Sequence, residues 1–255
     1  MLATVFRQSL RENLRPTRLL PWLLLVLLAM FLGSFWEQLA SQDRLVDRYG
    51  IISYLIVFRL VALASAILTA TILSAEVEQK TIVYLLTRPV PRWVLLLGRY
   101  LACSVMVSAI GAFGALGASI GVFGFRFNEN TQLLNDLLAV VFGAFSYCAL
   151  FTLFTLLFNR AMIVCLLFGF GWEWVVANLP GKAYYLSIFS HLQAIAHHPV
   201  TAANRGIALL TGSLNGNALE ASTSIPVLLI LIAVLVGLGV LVFSNFEYLP
   251  REDVE

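Results

Sequence analysis

Long apolar blocks separated by short polar punctuation organise this chain. The blocks run over about 19–39, 51–75, 93–125, 135–158, 161–179 and 225–244. Each is close to or beyond the roughly 20 apolar residues a helix needs to cross a bilayer. None alternates with period two, so the pattern predicts helices and excludes barrel strands. The third block is longer than one upright crossing requires, which predicts that it starts in the cytoplasm or is tilted. The expectation is an all-α membrane protein with six transmembrane helices in one domain over 19–255.

Two stretches outside the blocks keep a helical period. In 1–18, Leu2, Val5, Phe6, Leu10 and Leu14 share one face and Arg7, Arg11, Arg15 and Arg18 the other. That predicts an amphipathic helix lying in the cytoplasmic interface, with its arginines among anionic headgroups. In 180–224, Tyr184, Tyr185, Leu186, Ile188, Phe189, Leu192 and Ile195 form an apolar face, and Thr211 to Asn217 reads as an open loop. One or two short extracytoplasmic helices are expected there.

Composition agrees with the pattern. Hydrophobic residues make up 60% of the 255 positions and charged residues 12%, about half the share of a soluble domain. A net charge of +2 invites no nucleic-acid partner. Cys103, Cys148 and Cys165 all lie inside apolar blocks and read as packing residues. The basic residues set the orientation. With the N-terminus inside, Arg7, Arg11, Arg15, Arg18, Lys80, Arg88, Arg92, Arg99, Arg160 and Arg251 are cytoplasmic, against Arg44, Arg48, Arg126, Lys182 and Arg205 outside. Both termini are therefore expected in the cytoplasm.

The segment 76–92, between the second and third blocks, is the sharpest polar feature. Glu76, Glu78, Lys80, Thr81 and Tyr84 lie on a helical stretch whose apolar set is Ile82, Val83, Leu85 and Leu86. Pro89 ends it and disfavours helix at Arg88, Pro91 stiffens the turn, and Arg92 opens the next helix. A short helix with a rigid elbow is a handle for a soluble partner. The order Glu78, Thr81, Ile82, Leu85, Leu86, Pro89, Val90, Arg92, followed by Gly98 and Arg99, resembles the signature of type-2 ABC transporter permeases. Many members have glycine where this chain has Lys80, and lysine where it has Arg99.

The resemblance implies the membrane subunit of a bacterial ATP-driven exporter, placed in the inner membrane, with 76–92 as the coupling helix. It implies two copies of a separate ATP-binding subunit that hold ATP and Mg, and a second permease copy, giving a homodimer. This chain would carry no cofactor and would not itself be an enzyme. Neither Lys80 nor Lys182, its only lysines, sits in a phosphate-binding loop. A membrane scaffold or sensor that recruits a cytoplasmic partner, and an ion-coupled carrier, remain open as alternatives.

Other candidate residues lie within the blocks. Glu37, Arg59 and Glu173 are ionisable groups toward the outer side, suited to an intramembrane ion pair or a translocation path. Gly111, Gly114, Gly117, Gly121 and Gly124 make a smooth helix face, read as packing within one subunit in preference to a dimer seam. His191, His197 and His198 match no metal-ligand spacing and are read as a surface cluster. No nucleophile, base and orienting residue assemble into a catalytic set.

Overall fold

The computed structural model describes residues 2–14, 16–39, 45–78, 91–124, 126, 130–178, 182–198 and 219–245. Every regular element among them is helical. In chain order they are α1 (Leu2–Asn13), α2 (Pro16–Leu39), α3 (Leu45–Ile52), a π-helical turn (Ser53–Val57) and α4 (Phe58–Glu78). Then follow α5 (Arg92–Phe123), α6 (Leu133–Leu157), α7 (Ala161–Leu166), a second π-helical turn (Leu167–Trp172) and α8 (Glu173–Asn178). A 3₁₀ turn (Ala183–Leu186), α9 (Ile188–Ala196) and α10 (Ala221–Asn245) complete the set.

Among the described residues, four stretches are long and apolar enough to cross a membrane: Leu45–Thr71, Trp93–Phe123, Leu133–Leu157 and Ala221–Asn245. Leu19–Phe35 and Ala161–Val176 are shorter apolar helices. The second and fifth blocks are each interrupted by a π turn. Such a turn carries one residue more than an α turn, widens the helix and frees carbonyls from the usual ladder.

α5 is the spine of the bundle, touching α1, α2, α4, α6 and α10. Its glycines make those approaches possible. A Cβ on Gly121 would lie 2.3 Å from the Met30 carbonyl oxygen of α2, and one on Gly111 would lie 2.6 Å from Val61 and from Val140. Gly117 faces Val26 of α2, whereas Gly114 has room to spare, with Val57 at 3.8 Å from its added Cβ. Gly124 stands beyond the helix with φ +60 and no neighbour within 4 Å of a Cβ. In lipid, where apolar surface gains little by leaving its surroundings, such backbone approach is a main source of helix association.

Arg7 and Arg11 of α1 are exposed, and its buried residues are Ser9 and Asn13. The helix does more than float on an interface, because it packs along α5, where a Cβ on Gly98 would meet the Val5 side chain at 2.8 Å. The free thiols of Cys103, Cys148 and Cys165 are all buried.

Candidate functional site

The polar chemistry of the bundle gathers at one end, around α9. This helix has nine residues, and every one of them is buried, including Ser190, His191 and Gln193. Buried polar groups require partners. α9 finds them both nearby in the chain and far along it.

At its N-terminus, Ser187 is the N-cap, and its hydroxyl oxygen accepts from the Ser190 N–H at 3.1 Å. Glu173, the first residue of α8, then covers the exposed end of α9. Its carboxylate accepts from the Ser187 hydroxyl at 2.5 Å and from the Ile188 and Phe189 N–H groups, both at 3.2 Å. Negative charge at a helix N-terminus is favoured by the dipole and satisfies donors the helix cannot use itself.

Arg59 lies close by but does not salt-bridge to Glu173. Its Nη1 donates to the Gly169 carbonyl at 3.1 Å, and its guanidinium sits 4.6 Å from the centre of the Phe189 ring. Gly169 belongs to the second π turn, so a carbonyl in the widened segment receives the cation. Tyr54 and Phe58 meet Phe189 edge-on at 6.4 and 6.2 Å. The sequence suggested a pair; the structure instead joins Arg59 and Glu173 through α9.

At its other end, α9 stops at His197, whose φ of 53 places it in the left-handed region and whose N–H bonds the Gln193 carbonyl at 2.9 Å. The next residue, His198, turns into the bundle. Its Nε2 is 2.8 Å from Asp136 Oδ1, and its Nδ1 meets Gln132 Oε1. The second carboxylate oxygen of Asp136 accepts from Ser53 at 2.7 Å. Ser53 opens the first π turn, so Asp136 joins three parts of the chain: the π turn, α6 and the segment that follows α9.

Tyr49 and Tyr54 enclose the imidazole edge-on at 5.6 and 4.9 Å. Gly50 makes room for it, since a Cβ there would come within 3.2 Å of the ring. Asn130 fixes the entry to α6 by accepting from the Gln132 N–H and donating to Ser119, both at 3.1 Å. His191 is also internal, with its ring nitrogens on Ser224 at 3.2 Å and on the Tyr185 carbonyl at 3.0 Å. Burial lowers its proton affinity below the ordinary imidazole value.

The histidines therefore do not form a surface cluster. Only His197 of the three is exposed, while His191 and His198 are buried and pair on different helices. Ser53 bonds the carboxylate rather than the imidazole, so the three groups do not stand in the nucleophile–imidazole–carboxylate order of a hydrolytic triad. Among the described residues no three potential ligands gather to hold a metal. The arrangement fastens helices to one another.

Two expected site regions, the 76–92 segment and the set of Glu37, Arg59 and Glu173, are covered only in part. Residues 79–90, including Lys80, Thr81, Tyr84, Leu85, Leu86, Arg88 and Pro89, lie outside the described residues. So do the side chains of Glu37, Glu76, Glu78 and Arg92, whose backbones are helical. Pro91 is exposed and extended, with φ −63 and ψ 137, as the N-cap of α5.

Long apolar helices, close-packed on glycine and fastened by buried polar groups, define a multi-pass membrane protein. Residues 11–171 match the model of the ABC-2 family transporter protein. That is more than half of the chain, which belongs to this family of membrane transport components. No curated protein matches the chain.

Proposed function

We propose that this chain is the membrane-spanning permease subunit of an ABC exporter of the bacterial inner membrane. It crosses six times with both termini in the cytoplasm, pairs with a second copy, and is driven by two copies of an ATP-binding subunit that hold ATP and Mg. The coupling segment is 76–92. Supporting this reading above all is the family match over residues 11–171, which takes in that segment and both helices flanking it. α4 and α5 leave it as long helices, so a displacement there has a stiff path into the bundle. ATP binding closes the partner subunits, the elbow follows, and the permeases exchange inward and outward openings.

The test is purification of the tagged chain in mild detergent from cells expressing its genomic neighbours. A stoichiometric ATPase subunit is expected, and Glu78→Ala with Leu85→Ala releases it. A chain that emerges alone and without ATP hydrolysis refutes the exporter reading.

A further inference from the structure

Both ends of α9 are fastened, and the two fastenings differ in kind. At the N-terminal end, Glu173 bonds residues only 14 to 16 positions further along, so α8 and the start of α9 are tied within one stretch of chain. At the other end, Asp136 is 62 positions from His198 and 83 from Ser53. It bridges stretches that the chain itself does not hold together. The first fastening has three hydrogen bonds on one carboxylate. In the second, one carboxylate oxygen serves each of two elements.

We propose that Asp136, His198 and Ser53 form a latch that holds α9 as a plug in the outer end of the bundle. Opening of the outer side releases this latch, while Glu173 keeps its bonds and travels with α9. The position of Ser53 suits release. It heads a π turn, where the helix has an alternative hydrogen-bond register within reach, and α4 continues from that turn to Glu78. A pull along α4 changes the turn and draws the Ser53 hydroxyl off Asp136. That leaves one carboxylate oxygen unpaired in a dry site, and the water or new donor it then requires also loosens the His198 bond on the other oxygen. Asp136 and His198 are 0% and 2% exposed, so the intact latch admits no water to replace these bonds.

Accessibility of α9 tests the latch without any partner. Cys103, Cys148 and Cys165 are replaced by alanine, and Ala194→Cys, 1% exposed in the middle of α9, is the reporter. A membrane-impermeant maleimide is applied to intact cells that express the chain alone. The parent is expected to label slowly, and Asp136→Asn and His198→Gln to label at least tenfold faster. Their double variant should be no faster than the faster single one, because one device has been opened twice. Unchanged labelling in both singles, or effects that multiply in the double, overturns the proposal.

Should either variant fail to insert, Ser53→Ala decides. It removes one hydroxyl, and labelling should still rise about threefold if Ser53 belongs to the latch; no rise overturns it. Release by nucleotide rests on the permease reading given above and needs a separate arm. With the ATP-binding subunit and a non-hydrolysable ATP analogue, the parent should label as fast as the latch variants. If the variants open and the parent ignores nucleotide, the latch stands and the coupling reading fails.

Discussion

α9 and α10 are consecutive helices among the described residues and obey opposite rules. α9 carries serine, histidine and glutamine and is buried at every residue. α10 is almost wholly aliphatic, yet only 17% of its most apolar stretch is buried, and Val227, Leu229, Ile230, Val234, Leu238 and Leu241 stand exposed. In a water-soluble domain the assignments would be reversed. Lipid removes the penalty on exposed leucine and makes every unpaired polar group expensive, so polarity drives a segment inward wherever partners exist. The apolar window of α10 is mostly exposed while that of Leu45–Thr71 is 72% buried, so apolar composition alone does not tell core from rim.

Substitutions that separate the two helices sharpen this contrast. The largest effect is expected from Glu173→Ala, which strips a common acceptor from three donors in a dry site and should cost about 3–5 kcal/mol. Unfolding in mixed micelles measures it, and a loss under about 1 kcal/mol would mean that Glu173 does not hold α9. Next comes Val234→Lys, midway along α10. Exposure would make it harmless in water, whereas in a bilayer it should cost about 3 kcal/mol of insertion, read as the membrane-integrated fraction.

Matched leucines give the third test. Leu192 of α9 is fully buried and close enough to Gly143 that a Cβ there would lie 2.7 Å from it. Leu192→Ala should lose about 2 kcal/mol of packing, against less than about 0.5 for Leu229→Ala. Equal losses would erase the distinction between the helices. The smallest effect concerns pH. Burial holds His191 below its ordinary value of 6.5, so the unfolded chain takes up the proton first. Stability should be full above that value and decline as the pH falls through the lower folded one, and His191→Gln should flatten that part of the curve.

Helices were legible from the apolar runs, because a membrane span is a local property of about twenty residues. The glycines of the third run stand out in the sequence too, and two of them face α2, Gly121 at a distance only glycine permits. Arg59 and Glu173 stood out as charges in apolar surroundings, although their partners did not. Gly169 offers a backbone carbonyl, and Glu173 binds main-chain N–H groups, neither of which leaves a trace in residue type. Asp136 drew no notice at all. It lies at the edge of a span, where a carboxylate is ordinary, and its partners are 62 and 83 residues away. A period reports which face a residue occupies, not which distant residue meets it there. The π turns were also hidden, since one additional residue in a turn leaves the apolar run intact.

The seat of α1 on Gly98 has a mechanical consequence. α5 has 32 residues, which at about 1.5 Å per residue makes a rod about 48 Å long. Tilting such a rod by about 10° about one end sweeps the other through about 8 Å. α1 is carried near the N-terminal end of that rod, where Gly98 meets Val5, and its Arg7 and Arg11 are exposed. Any tilt of the spine would therefore drag a charged paddle through its surroundings, so the drag and the charge there would add to the work of moving it.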